Sequence, residues 1–208
     1  MEIRDRILHK AHDLFNRHGI RRVTMDEIAS QLGMSKKTIY QFFADKDELV
    51  KAITEEHLQK NRESCSLEKT KATDAIHEIF LTLDMMQEML GYINPTMIHD
   101  LEKFHPDSFE KFNQFKEQYL YNVVKDNLTW GIAEGLYREE LNKEVITKLR
   151  LNLIFLPFNQ DIFPQNKYNL AEVAKEIIEH YLYGLATAKG YKLIIKYKQE
   201  RIKTTKYE

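Results

Sequence analysis

The segment from Thr24 to Lys46 limits the possible folds most, because it specifies two short helices joined by a glycine. Thr24 and Glu27 are spaced as a capping box, which predicts a helix beginning one or two residues after the threonine. Gly33 follows the last apolar position and favours the left-handed conformation that ends a helix. Two helices of this length around one glycine turn form a helix-turn-helix.

The second helix of this motif has one apolar face and one polar face. Ser35 is a good N-cap, and Ile39 and Phe43 are four residues apart, so both point inward. The polar residues of this segment then face solvent or a partner: Lys36, Lys37, Thr38, Tyr40 and Gln41. These side chains supply cations and hydrogen-bond donors.

The residues around the motif extend the pattern to roughly the first 55 residues. An amphipathic helix that ends at Gly19 precedes it. The sequence resembles the DNA-binding domain of the TetR (tetracycline repressor) family of bacterial transcription regulators. The residues that carry the resemblance are Ala11, Phe15, Gly19, Thr24, Ile28, Ala29, Gly33, Ser35, Thr38, Tyr40, Phe43, Lys46 and Leu49.

The resemblance implies specific roles in binding double-stranded operator DNA. By their positions in the second helix, four residues are expected to read or approach bases: Lys36, Lys37, Thr38 and Gln41. Tyr40 and Lys46 match phosphate-contacting positions of the family, and Thr24 lies at a helix start whose amides can hold a phosphate. The implied function is a repressor that binds a palindromic operator as a dimer.

Composition supports an all-α fold. The chain has 208 residues with only 7 Gly and 4 Pro, whereas a strand-rich chain of this size needs more turn residues. We predict a DNA-binding domain over residues 1–46 and a larger helical domain for effector binding and dimerisation over residues 47–208. The apolar spacing predicts helices from 45 to about 61, 75–90, 96–104, 106 to about 135, 142–156 and 170–189.

The helix predicted from Leu170 to Lys189 carries an apolar belt wider than one core-facing stripe. It is either deeply buried in its own domain or covered by a second copy of the chain. The resemblance favours the second interpretation, because the family dimerises through its last two large helices. The predicted homodimer residues are Val145, Leu149, Leu153, Ile177, Ile178, Tyr181, Leu182 and Leu185.

The family generally couples a small molecule to DNA release, and an apolar or aromatic effector is the class expected here. Candidate lining residues are the aromatic and Met side chains of the middle helices: Met85, Met86, Met89, Phe104, Phe112, Phe115, Tyr119, Trp130 and Phe155. Stripes of such residues at helical spacing also form ordinary cores.

Charge is informative only locally. The net charge of the whole chain is −1, yet the segment from Gly33 to Lys46 contains three lysines and only one acidic residue. Screening within about 8 Å lets a small basic face bind DNA on an otherwise acidic protein. The basic segment 191–208 either contacts a phosphate or partner, or is a solvated helix that packs Leu193, Ile194 and Tyr197 on the body.

Other classes of protein lack support in the sequence. The eight histidines match no zinc-ligand spacing, Cys65 stands alone, and phosphate loops and nucleophile elbows are absent. We therefore predict no enzymatic activity, no cofactor and no metal. The amino terminus lacks a signal peptide and no apolar run reaches membrane-span length, which predicts a cytoplasmic protein. The alternative function is a helical adaptor that does not bind DNA.

Overall fold

The structure is a computed structural model that describes residues 2–205, without the side chains of residues 88 and 202–205. Within these residues the chain is helical, and its one strand-like pairing is an isolated bridge between Tyr137 and Ala186. This confirms the predicted all-α class. The helices are α1 (Ile3–His18), α2 (Met25–Leu32), α3 (Lys36–Tyr40), α4 (Lys46–Lys71), α5 (Ala75–Leu90), α6 (Met97–Phe104), α7 (Pro106–Gln114), α8 (Tyr121–Ala133), α9 (Lys143–Phe155), α10 (Leu170–Leu185) and α11 (Ala188–Thr205).

The chain divides into two compact units. The first contains Met1–Arg62 and Tyr92–Phe115, and the second contains Glu63–Gly91 and Lys116–Glu208. The predicted domain boundary at residue 46 therefore falls inside the first unit. The reason is that α4 and α6 both contribute apolar side chains to the same core as α1 to α3, through residues such as Ile53 and Leu101.

The core of the first unit forms from one face of each helix. α1 buries Ile7, Ala11 and Phe15, each four residues from the next, and α2 and α3 bury Ile28 and Ile39 against them. Because 3.6 residues complete a turn, the intervening polar residues of these helices face outward. The helix-turn-helix is therefore held in place by the apolar side chains that pack in this core.

The core of the second unit is built from α5, α8, α9 and α10, which pack on one another. It encloses Tyr137, whose hydroxyl donates to the Ala75 carbonyl at 3.1 Å and to Asn127 Oδ1 at 3.2 Å. Asn127 Nδ2 in turn donates to Glu78 Oε2 at 2.7 Å. These bonds satisfy polar groups that burial would otherwise make costly.

Three helix boundaries differ from the sequence prediction. α4 continues to Lys71 rather than ending near residue 61, because a polar stretch remains helical where its side chains stay in solvent. The long helix predicted from Pro106 is interrupted by a π-helical segment, Phe115–Leu120. α10 ends at Leu185 rather than Lys189, since the Leu185 carbonyl accepts from the Arg138 amide at 2.9 Å.

α11 packs on the second unit along part of the basic segment 191–208. Ile194 is fully buried, and Tyr197 donates to Asp74 at 2.5 Å. Lys198 and Arg201 form ion pairs with Glu179 and Asp84. These two cations of the basic segment are thus paired within the chain, and residues 206–208 lie outside the described residues.

Within residues 2–205, no helix has the length and hydrophobicity needed to span a lipid bilayer.

Candidate DNA-binding site

The first helix of the motif begins and ends as the sequence predicts. Thr24 is the N-cap of α2, and its hydroxyl accepts from the Glu27 amide at 3.1 Å. Gly33 has φ +64°, a left-handed conformation that a side chain disfavours, and its amide bonds back to the end of α2. The turn therefore has a defined geometry.

The second helix, α3, is short and held by its cap. Ser35 Oγ accepts from the Thr38 amide at 3.1 Å and lies 2.8 Å from Thr38 Oγ1. Ile39 is fully buried, and Phe43 beyond the helix end is nearly so. Because these two anchors face the core, the rotation of α3 about its axis is fixed.

The outward face of α3 presents the predicted DNA-contacting side chains. Lys36, Lys37 and Gln41 are exposed, Thr38 is half-buried, and Tyr40 is 41% exposed. This face contains two cations, two hydroxyls and an amide, and it is supported by a packed core. Such an arrangement suits contacts to base edges and phosphates.

Lys36 already has a partner across the motif. Its ammonium lies 2.9 Å from the Asp26 carboxylate and 5.9 Å from the Tyr40 ring centroid. The hydrogen bond to Asp26 raises the pKa of Lys36. Exposed pairs of this kind contribute little to stability, so a phosphate or guanine can displace Asp26 at small cost.

Lys46 is turned inward rather than toward solvent. Its ammonium donates to the Ile20 carbonyl at 2.6 Å and lies 5.9 Å from the Phe15 ring centroid. Burial lowers the pKa of Lys46, while Asp100 and Asp47 oppose that effect. The structure therefore gives Lys46 a role in holding the turn between α1 and α2, in addition to the phosphate contact that the resemblance implies.

The same turn is held from a second side by α6 and the residues before it. The buried Asp100 carboxylate accepts from the Arg21 amide at 3.0 Å, and Asn94 Nδ2 donates to the Arg17 carbonyl at 3.4 Å. The Arg21 guanidinium also lies 5.1 Å from the Phe104 ring centroid. Sequence analysis missed this contact, although a carboxylate on the apolar side of an amphipathic helix was a possible signal.

The nine aromatic and Met residues proposed to line an effector pocket are not gathered in one unit. Phe104, Phe112 and Phe115 belong to the first unit and the other six to the second. Phe104 contacts Arg21, and Phe115 lies under the Arg62 guanidinium at 5.1 Å. None of the nine lines the cleft of the second unit that contains Arg150.

The eight residues proposed for a dimer interface fall into two groups. Ile178, Tyr181, Leu182 and Leu185 are buried within the protomer itself, so they are unavailable to a second copy. The other four reach the surface to different degrees: Val145 is 59% exposed, Leu149 is 46% exposed, and Leu153 and Ile177 are half-buried. Much of the wide apolar belt of α10 is therefore buried by packing within its own domain.

Two histidines pack against each other between α1 and α4. The His12 and His57 rings are 5.9 Å apart, centroid to centroid, with His9, Asp13, Glu56 and Lys60 as charged or titratable neighbours. Burial lowers the pKa of both rings, that of His57 to about 4. The described residues contain no group of three or more ligand-type side chains that could hold a metal ion.

The pair predicts a pH-dependent stability. Below pH 6.5 the unfolded chain protonates His57 while the folded chain does not until about pH 4, so stability falls as pH decreases through this window. The shift corresponds to a loss of roughly 3 kcal/mol at most. Urea unfolding at pH 4.5 and 7 should show that the variant His57→Phe loses less stability than the wild type. The exposed-site control His99→Phe should keep the wild-type dependence, and an unchanged dependence in His57→Phe would contradict this explanation.

The fold and the site together define a class of protein: an all-helical transcriptional regulator with a helix-turn-helix. Residues 7–53 match the family described as bacterial regulatory proteins, tetR family. These residues therefore match the DNA-binding domain of that family, and the chain as a whole is similar to transcriptional regulators that carry this domain.

Relatives of similar length support this assignment. An uncharacterized HTH-type regulator of Bacillus subtilis, YvaF, is 22% identical over 86% of this chain and 94% of its own length. A TetR-family regulator from Marinobacter aquaeolei shares the fold with a TM-score of 0.73 and 18% identity, covering 96% of this chain and 98% of the other. The regulator FadR from Bacillus subtilis, solved with stearoyl-CoA, gives a TM-score of 0.66 at 18% identity over 87% and 98%. These proteins are regulators rather than enzymes, in agreement with the predicted absence of catalytic activity.

Proposed function

We propose that the protein is a cytoplasmic repressor that binds a palindromic operator as a homodimer and is released by a small-molecule effector. The observation that carries the proposal is the outward face of α3, where Lys37, Tyr40 and Gln41 are exposed above the buried Ile39. A short, rigidly supported helix with exposed donors suits the major groove of DNA.

The side chains of this face divide by chemistry. A lysine can donate to guanine, and Gln41 has the amide geometry that pairs with adenine. Tyr40 has a hydroxyl that can reach a phosphate, and Lys46 can do so if its ammonium leaves the Ile20 carbonyl. Base contacts specify a sequence, whereas phosphate contacts give affinity for any sequence.

This division predicts two kinds of variant. Tyr40→Ala and Lys46→Ala should weaken binding to every duplex, and the loss of the Lys46 cation should also reduce the salt slope by about 1. Lys36→Ala, Lys37→Ala and Gln41→Ala should change the preferred bases, at about 1–3 kcal/mol for each lost specific contact. Gel-shift titrations over a salt series, with cognate and single-base-changed duplexes, measure both effects.

The control for charge removal is Lys167→Ala, which removes an exposed cation of the second unit. It should leave both the affinity and the salt slope unchanged. If all five of these DNA-site variants shift affinity and selectivity identically, the division of roles is wrong. If none of them affects binding, the alternative of a helical adaptor is favoured instead.

The proposed homodimer uses the surface part of α9 and α10. Val145 and Leu149 are exposed one turn apart on α9, and the packed neighbour α10 adds the half-buried Ile177. Exposed branched apolar residues one turn apart form a continuous strip, which is typical of the apolar centre of homodimer interfaces. A symmetric pair of protomers then presents two copies of α3 to two half-sites.

Effector control is supported by the second unit and by a relative. The FadR structure contains stearoyl-CoA, which shows that this fold accommodates a small-molecule ligand in that protein. In the present chain the second unit contains a cleft lined by polar and apolar side chains. An effector acts by binding the DNA-incompetent form more tightly than the DNA-bound form.

A further inference from the structure

The second unit contains a cleft with an unusual mixture of side chains, here called the Arg150 cleft. It has about 560 Å³ of space free of protein atoms, part of which is open to solvent. Its walls come from α4, α5, α8, α9, α10 and the end of the π-helical segment. The lining residues are Cys65, Glu78, Ile79, Thr82, Leu120, Val123, Val124, Asn127, Arg150, Ile154 and Tyr181.

Arg150 is a buried cation in this cleft. The residue is 5% exposed, and its guanidinium carbon lies 5.0 Å from the centroid of the Tyr181 ring. Burial lowers the pKa of Arg150, yet an arginine side chain stays protonated in proteins. A full positive charge is therefore held in a largely apolar environment.

One donor of this guanidinium is unsatisfied. Among the residues that the structure describes, none accepts a hydrogen bond from Arg150 Nη1, which is itself buried. A buried charge normally has a hydrogen-bonding counter-charge, because its desolvation is otherwise uncompensated. The acceptor that this atom lacks is the first indication of a missing anion.

The acid in the cleft does not fill that role. Glu78 accepts from Asn127 Nδ2 at 2.7 Å, and burial raises the pKa of its carboxyl group. Asn127 also donates to the Ala75 carbonyl at 2.8 Å, so Glu78 belongs to a polar network around Tyr137. No ion pair between Glu78 and Arg150 is found among the described residues.

One part of the cleft wall is apolar. Ile79, Val123, Val124 and Ile154 line it, and Leu120 adds the last residue of the π-helical segment. π-helical turns inside α-helices frequently occur at functional sites. A cleft with one cation and an apolar wall fits a ligand with one anionic group and an apolar body.

We propose that the Arg150 cleft binds a small monocarboxylate whose carboxylate pairs with the Arg150 guanidinium and whose apolar body packs on Ile79, Val123 and Ile154. This inference rests on the proposed effector control and names the ligand class. A planar guanidinium matches a carboxylate through two parallel hydrogen bonds. A dianionic phosphate fits less well, because Arg150 is the one cation among the lining residues and Glu78 is an acid.

Calorimetric titration of the full-length chain, without DNA, tests the ligand class. Hexanoate and phenylacetate are the probes, and hexanamide and phenylacetamide are their uncharged matches. Each carboxylate should bind about 10- to 100-fold more tightly than its amide, the difference expected for a charge-assisted hydrogen-bond pair. Equal binding of acid and amide, or binding of neither, would overturn the proposal.

Variants assign the effect to the cleft. Arg150→Gln should remove the preference for the acid, whereas the surface control Arg138→Gln should keep it. Ile154→Trp fills the apolar wall without changing the guanidinium and should weaken both ligands. Circular dichroism melts confirm that each variant is folded, and acid selectivity that survives in a folded Arg150→Gln would overturn the assignment.

A separate operator-release assay distinguishes this inference from the proposed function. If hexanoate binds the cleft but leaves the protein on DNA, the ligand site stands and effector release by this ligand fails. If another compound releases the operator while carboxylates do not bind, effector release stands and the Arg150 inference fails.

Discussion

Replacing Gly131 by alanine should destabilise the second unit by about 3–5 kcal/mol, the range for severe overpacking combined with loss of a buried aromatic contact. A Cβ at Gly131 would lie 2.1 Å from Tyr137 Cδ2 and 2.2 Å from Cε2. Tyr137 is 1% exposed and donates to Ala75 and Asn127, so its ring has no free space to enter. Thermal unfolding should show a decrease of roughly 10 °C for a chain of this length.

The matched control is Gly184→Ala in α10. Gly184 is exposed in the protomer, and an added Cβ meets no described atom within 4 Å. Because alanine is the better helix former, this variant should gain up to about 1 kcal/mol. A loss of stability in Gly131→Ala together with a gain in Gly184→Ala would support the packing around Tyr137. A Gly131→Ala protein as stable as the wild type would show that α8 and Tyr137 do not approach each other in this way.

Replacing Leu149 by glutamate should dissociate the proposed homodimer and reduce the affinity for a palindromic operator by about 10²- to 10⁴-fold. The size of the loss follows from avidity. Two linked DNA-binding domains bind a two-half-site operator more tightly than one domain does, although neither domain makes a new contact. Leu149 is exposed beside Val145, so the carboxylate is solvated in the monomer and buried only in the dimer. Sedimentation velocity and gel shifts measure the two effects on the same protein.

Leu67→Glu is the control for this experiment, because Leu67 is also an exposed leucine on a helix but belongs to α4. It should leave both the mass and the operator affinity unchanged. If Leu149→Glu remains a dimer, the interface lies elsewhere. If it becomes a monomer with full affinity for the palindrome, the two half-sites do not depend on this interface.

Local signals in the sequence were sufficient to predict the helix-turn-helix. Thr24, Gly33 and Ser35 define caps within a few residues of chain, and the structure has each cap where the spacing predicts it. The outward face of α3 follows from Ile39 and Phe43 alone, because helical periodicity relates buried and exposed positions.

Contacts between residues distant in sequence were beyond this kind of reasoning. Asp100 and Arg21 are 79 residues apart, and nothing in either local pattern links them. Apolar spacing could not show whether α10 is covered by its own domain or by a second copy, and Tyr181 and Leu182 turn out to be buried within the protomer. The unpaired guanidinium of Arg150 could not be predicted either, because the lack of a partner is a property of the residues around it in space and not of its neighbours in sequence.

Selection from a pool of random DNA duplexes tests the central claim most directly. The full-length wild-type chain should enrich a two-fold symmetric sequence with two half-sites, and a protein altered at Lys37, Tyr40 and Gln41 together should not. The enriched duplex should then be protected in footprinting on both half-sites. A folded wild-type chain that enriches no sequence, or that enriches the same sequence without those three side chains, would contradict the assignment of α3 as the DNA-reading helix.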